Sequence, residues 1–368
     1  MSSYRPGKVG RVEDSRIERY AELLVDRCSR VQPGWQVLIR AQPAARPLVE
    51  EVRRLVAERG AFPLLRLDFE LPSAAWQRHA PEELLARVPS IEAHELAEAD
   101  CLITIEAPEN SREGSDAPQH RLAAAQAARK PLHRPFLTDE RPWLICQYPT
   151  QALAQDAGMT LPDFEEFLFG AVLIDWDALE HDMERVKERF DAAGEVRVVG
   201  EGTDLAFSLA GRAGKVSGAA RNMPSGEVFY SPVEDSAEGV VFFSEFPACY
   251  QGRQVPGVRL GFREGRVVEA SAAAEEEFLL ATLDTDEGAR RLGEFGIGCN
   301  PGIRRHLRNT LFDEKIDGTV HLALGQGFEQ LGGTNESVVH WDIVKDLRQG
   351  ASLYCDGSLV QENGEWRL

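Results

Sequence analysis

Residues 36–68 read QVLIRAQPAARPLVEEVRRLVAERGAFPLLRLD, and the spacing of apolar residues changes twice within them. QVLIRA follows a Pro33-Gly34 break and is a short apolar run of strand length. ARPLVEEVRRLVAERGA then spaces its apolar residues as one face of a helix, and PLLRLD returns to strand texture. Two strands joined through a helix predict one crossover unit of a parallel sheet. The pattern continues on both sides. RIERYAELLVDRCSRV is an amphipathic helical run before it, HELAEAD leads into the strand CLITIEA after it, and RLAAAQAARK precedes WLICQYP. Short apolar strands separated by helical patterns predict an α/β N-terminal domain with a mostly parallel sheet. Neither GxGxxG nor GxxxxGK[ST] follows any of these strands, so the expectation is a scaffold or lid rather than a nucleotide site.

A long helical segment, LPDFEEFLFGAVLIDWDALEHDMERVKERFDAAG, is expected to run to Gly194, and beyond it the texture changes. EVRVVGEGTDLAFSLAG, GEVFYSP, GVVFFSEFPA, GVRLGFREGRVVEASA and TVHLALG are strand-like runs bounded by Gly, Pro and Asp, with ATLDTDEGARRLGEFG as the main helical interruption. Two domains are therefore expected: residues 1–193, with the linking helical segment, and residues 194–368, a β-rich α+β domain. A chain of 368 residues is long enough for both.

The formal net charge of −19 argues against a nucleic-acid or anionic-membrane partner, since both favour a basic face. No apolar run reaches the ~18 residues of a membrane span, and MSSYRPGKVGRVEDSR lacks the apolar core of a secretory signal. Six scattered cysteines without a CxxC pair read as reduced thiols, and the expected location is cytoplasmic.

Four segments of the second half offer metal-ligating side chains. In Val339-His340-Trp341-Asp342-Ile343, a strand would aim His340 and Asp342 to one face. His321 is a lone imidazole in the apolar run Thr319–Gly325; alone, such a histidine is more often a core residue bonded to a backbone carbonyl. Glu294 lies in the glycine-rich GEFGIG, and Glu227 enters the apolar GEVFY, where each could equally be a solvated charge. Together the segments supply two His, one Asp and two Glu, an inventory suited to a pair of hard or borderline divalent ions. Such ions acidify a water and polarise a carbonyl, which is what peptide hydrolysis needs. The remaining histidines, His79, His94, His120, His133, His181 and His306, have no carboxylate pattern that singles them out.

The segments Arg221–Val228 (RNMPSGEV), Pro232–Gly239 (PVEDSAEG), Gly293–Pro301 (GEFGIGCNP), Leu311–Gly325 (LFDEKIDGTVHLALG) and Ser337–Asp342 (SVVHWD) resemble the signature segments of the M29 metallo-aminopeptidases. The stretch YAELLVDRCSRVQPGWQVLIRAQPAARPLVEEV is similar to the N-terminal part of the same family. The resemblance implies a cytoplasmic homodimer that removes N-terminal residues from short peptides through a metal-activated water. It also implies two divalent ions (Zn, Co, Mn or Mg) held by Glu227, Glu294, His321, His340 and Asp342, with Glu294 in a catalytic role as well. The sequence departs from the family at Phe328, where the family has a tyrosine assigned to catalysis; a phenyl ring cannot donate the phenol's hydrogen bond. Two other readings follow. Relatives that are mononuclear non-haem Fe(II) ring-cleaving dioxygenases would use only His321, His340 and Asp342. Alternatively, the chain could be a metal-binding homologue with weakened catalysis.

Overall fold

The computed structural model describes residues 14–69, 74–112, 118–137 and 140–367. Its contacts divide the chain into two units, residues 1–155 with 160–173, and residues 156–159 with 174–368.

The first unit holds parallel strands in the order Phe62–Leu67, Gln36–Ala41, Cys101–Glu106, Trp143–Gln147. The central strand is apolar on both sides, and Val37, Leu38, Ile39 and Ala41 are all buried, as a parallel strand covered on two faces requires. The crossover helix Arg46–Glu58 starts with Pro47 in its first turn and buries Leu48, Val49, Val52, Leu55 and Val56. The amphipathic N-terminal run forms the helix Ser15–Glu22, capped by the Asp14 side chain, and continues as a wider π-type turn over Leu23–Cys28.

The segment expected as one helix from 161 to 194 is two. Thr160 caps Leu161–Val172, and the side chain of Asp175 accepts from Ala178 N–H to start Trp176–Asp191 afresh. An Asp that satisfies free N–H groups in a new first turn starts a new helix more readily than it continues an old one.

The second unit is a large antiparallel region. One sheet runs in the order Arg266–Ser271, Val258–Arg263, Glu238–Phe243, Thr203–Ser208, Glu195–Gly200, Ser352–Cys355, Ser358–Glu362, Glu365–Trp366. The other runs His340–Asp346, Thr319–Gly325, Leu292–Gly298, Glu227–Tyr230, Lys215–Ser217. Phe295, on one face of the second sheet, packs against Phe207 of the first at 5.0 Å between ring centroids and against Phe190 at 5.9 Å. The helical interruption lies earlier than ATLDTDEGARRLGEFG suggested: the helix is Glu276–Leu283, and GEFGIG is fully buried strand. Its glycines are there for clearance. A Cβ on Gly293 would fall 2.2 Å from the carbonyl oxygen of Gln326.

All six cysteines are free. Among the described residues no helix is long and apolar enough to cross a membrane.

Candidate metal centre

Cross-strand register decides which side chains meet in the five-stranded sheet. His321 pairs with Gly296 on one side and Val344 on the other; Ala323 pairs with Glu294 and Asp342; Gly325 pairs with His340; Glu227 pairs with Gly298. Directly paired residues share a face, and residues two apart along a strand do too. Hence Glu227, Glu294, His321, His340 and Asp342 all project from one face, from four adjacent strands. A bulge between Leu292 and Glu294 then shifts the register by one residue, so that Leu292 pairs with Leu324. Glycine at 296 makes room for the His321 ring, and glycine at 298 for the Ile316 backbone.

The five residues converge. Glu294 presents Oε1 to His321 Nε2 at 3.3 Å and Oε2 to His340 Nε2 at 3.2 Å. Glu227 Oε2 lies 3.8 Å from His321 Nε2, and Asp342 Oδ1 lies 3.6 Å from His340 Nε2. Each imidazole is anchored through its other nitrogen: His321 Nδ1 is 3.1 Å from the carbonyl oxygen of Glu314, and His340 Nδ1 is 3.1 Å from that of Gln326. An Nδ1–H that donates to a carbonyl leaves Nε2 as the atom facing the cluster.

Charges this close in a buried place perturb one another. Burial pushes the Glu227 carboxyl up to about 7, against the pull of Lys315, and pushes Asp342 up to about 6, against His340. Burial opposes ionisation of Glu294 as well, but its hydrogen bonds to His321 and His340 hold it well below the usual carboxylate range. Both imidazoles are raised to about 10: burial disfavours their charge, yet Glu294 dominates for His321, and Asp342 with Glu294 for His340.

Among the described residues, none donates a hydrogen bond to two buried oxygens of the cluster, Glu227 Oε2 and Asp342 Oδ1. A buried carboxylate oxygen without a donor costs free energy unless a cation meets it. The donor set of carboxylate oxygens and imidazole nitrogens within 4.8 Å of one another, as in Glu294, His321 and Asp342, fits divalent ions of the zinc, cobalt or manganese kind.

Two further residues belong to the cluster, and the sequence pattern had not singled them out. Glu314 brings a carboxylate oxygen within 4.8 Å of ligand atoms of Glu227 and His321. Lys315, fully buried, places Nζ 3.5 Å from Glu227 Oε1 and donates to Glu314 Oε1. Burial opposes its charge, but Glu227 and Glu314 raise its pKa above the ordinary lysine value. Glu314 and Lys315 lie in a turn after the short helix Thr310–Asp313, where neither strand nor helix periodicity predicts an inward direction. Phe328 borders the cluster, edge-on to His340 at 5.6 Å and to Phe229 at 5.4 Å between ring centroids.

The sequence model of the Thermophilic metalloprotease (M29) family matches residues 13–366. Aminopeptidase 2 of Geobacillus stearothermophilus is 30% identical, over 94% of this chain and 94% of that protein. Aminopeptidase T of Thermus thermophilus is 30% identical, over 95% and 98%. The solved structure of wild-type AmpT from Thermus thermophilus superposes with a TM-score of 0.83 at 25% identity, covering 96% of this chain and 99% of that one. A 2,5-dihydroxypyridine dioxygenase from Pseudomonas putida KT2440 shares the fold at a TM-score of 0.56 and 15% identity, over 96% of each chain. A match to nearly the whole sequence, with relatives covered almost from end to end, places this chain in the M29 family of metallopeptidases.

Proposed function

We propose that the protein is a metal-dependent aminopeptidase that removes the N-terminal residue from short peptides, with residues 194–368 supplying its catalytic domain. The observation that supports this best is the carboxylate of Glu294, whose two oxygens face two different imidazoles. That arrangement lets one carboxylate serve ligands on both sides of the cluster. Glu227, Glu294, His321, His340 and Asp342 would hold divalent ions there, with the Glu314 carboxylate close to Glu227 and His321. Ions bound there supply Lewis acidity toward a peptide carbonyl and lower the pKa of a water. Three carboxylates exceed the single one of a mononuclear two-histidine iron site, which favours the hydrolase over the ring-cleaving dioxygenase.

The chain's own residues prepare the site. The carbonyls of Glu314 and Gln326 fix both imidazole rings, so no reorientation is needed when an ion arrives. The inner end is shielded from bulk solvent, with His321 only 1% exposed, which strengthens the charge interactions inside. Glu294 faces both imidazoles and is the carboxylate we assign to proton exchange with a water at the centre as well as to ion binding. Phe328 offers a ring wall and no hydrogen-bond donor. Family likeness supports a cytoplasmic homodimer.

The test is hydrolysis of L-leucyl-p-nitroanilide before and after exhaustive dialysis against EDTA, with metal content measured in parallel. Loss of activity, restoration by Co²⁺, Zn²⁺ or Mn²⁺, and two metal equivalents per chain are expected. Full activity in metal-free protein would overturn the proposal.

A further inference from the structure

We infer that the outer edge of the strand Phe62–Leu67 is the surface on which a second copy of this chain docks, antiparallel and about a two-fold axis at Leu67. The inference stands apart from the metal centre, and it gives the homodimer proposed above its contact surface.

Among the described residues this strand is the outermost of its parallel sheet, bonded to Gln36–Ala41 on one side. It is also apolar where it meets solvent: Phe62 is 60% exposed, Leu64 42%, Leu65 37%, Leu67 52%, and Phe69 just beyond it 86%. Single exposed apolar side chains are ordinary, but this many in one short strand form a patch.

Backbone direction fixes which peptide groups are available. Phe62 N–H donates to the Trp35 carbonyl and Asp68 N–H to that of Ala41, so the even-numbered residues turn their peptide groups inward. Leu65 and Leu67 therefore turn theirs outward, as does Pro63, which has no N–H to offer. An unbonded apolar edge of this kind is a template for another strand.

Charge and register select a second copy as the occupant. With Leu67 opposite the partner's Leu67, Arg66 falls opposite the partner's Asp68, and Asp68 opposite the partner's Arg66. Arg66 also meets Glu95 at 2.5 Å, and a guanidinium with five donors can serve both carboxylates. Leu65 falls opposite the partner's Phe69, so Leu65, Leu67 and Phe69 of both copies gather on one face. The outward peptide groups of Leu65 and Leu67 bond in the same register, and Pro63 ends the ladder. Centring the pair on Leu65 would instead set Pro63 against Leu67 and leave Arg66 and Asp68 facing Leu64 and Phe62. Charge, apolar and hydrogen-bond patterns agree on one axis, as a two-fold contact between identical chains requires.

Cysteine crosslinking reads this register directly. Cα atoms paired at the axis lie about 5.5 Å apart, within reach of a disulfide. Five natural cysteines are buried and Cys249 is half-buried, so the background is low. Leu67→Cys should give a covalent dimer in high yield under mild oxidation. Leu65→Cys should give little, because its two copies would lie about 14 Å apart at the rise of an extended strand. Sedimentation velocity supplies the second arm. Asp68→Arg, which sets like charges opposite each other, should raise the dimer dissociation constant at least ~10-fold; combining it with Arg66→Asp should restore the natural value. Crosslinking through position 65, or none through position 67, would overturn the inference. A dimer indifferent to the charge variants would overturn it too while leaving the homodimer standing. A natural chain that stays monomeric at the crosslinking concentration would sink both.

Discussion

The imidazole of His321 occupies the space over its cross-strand partner Gly296, where a Cβ would lie 2.0 Å from the ring carbon Cε1. The ring has no room to yield, because Nδ1 is bonded to the Glu314 carbonyl and Nε2 to Glu294. Gly296→Ala should therefore displace the ring or the strand, at a cost of about 1–3 kcal/mol for an overpacked core position. The thermal midpoint should drop and metal content should fall with it. Normal metal content in a folded variant would show that the ring can be accommodated elsewhere.

His340 is the more exposed of the two clustered imidazoles, with its side chain 34% exposed. Glu294 Oε2 and Asp342 Oδ1 would lose their facing nitrogen in His340→Ala, while His321 would keep its surroundings. Loss of about one of two metal equivalents is expected, with the anilide rate reduced by at least ~10²-fold and a lower metal-free thermal midpoint, since two buried carboxylates lose a cationic neighbour. A variant with full metal content and a lost rate would assign His340 to proton transfer instead.

The metal-free protein should respond to pH in the opposite sense from the metal-loaded one. His321 and His340 are raised from an ordinary value near 6.5 to about 10 by their carboxylate neighbours. Between those limits the folded chain holds protons that the unfolded chain has released, so their contribution to stability is full below about 6.5 and disappears as pH rises toward 10. Glu227 and Asp342, pushed up to about 7 and about 6, act with the same sign at lower pH. Glu294, held low, contributes above the ordinary carboxylate range and loses its contribution only in stronger acid. Ions must displace these protons, so their binding strengthens as pH rises. Thermal midpoints with and without EDTA should diverge steadily from about pH 6 to about pH 9. A gap that is constant or narrows would contradict the assigned geometry.

Much of this architecture was legible in the sequence because it depends on local periodicity. QVLIRA and CLITIEA became strands at the expected places, and the alternation His340-Trp341-Asp342 set both polar side chains on one face. The long helical segment was harder to divide, because the capping role of Asp175 looks the same in sequence as a surface Asp within a helix. GEFGIG was misleading for a related reason: glycines that normally mark turns were needed here to clear the His321 ring and the Gln326 backbone. Which strands lie side by side, and in what register, depends on packing across a hundred residues of sequence. Glu314 and Lys315 were invisible because a turn has no period from which direction can be read.

Phe328 offers the most specific test of how far the family's chemistry extends to this chain. Its ring meets His340 edge-on at 5.6 Å and Phe229 at 5.4 Å, and its backbone N–H donates to Ser231 Oγ at 2.9 Å, so the residue is held beside the cluster. It is only partly buried, so a para-hydroxyl has a route to polar surroundings and need not be trapped among apolar atoms. Phe328→Tyr would add one donor at the open side of the centre, where a developing oxyanion could receive it. A well-placed donor of this kind is worth about 2.7–4 kcal/mol, and an engineered one typically realises only part of that. The kcat for L-leucyl-p-nitroanilide should rise on the order of tenfold. KM should change less, because the new bond acts mainly in the transition state. Metal content and thermal midpoint should stay near those of the natural protein. A folded, fully metallated variant with unchanged or lower kcat would mean that another group already serves the oxyanion, and that Phe328 functions as a wall of the substrate channel.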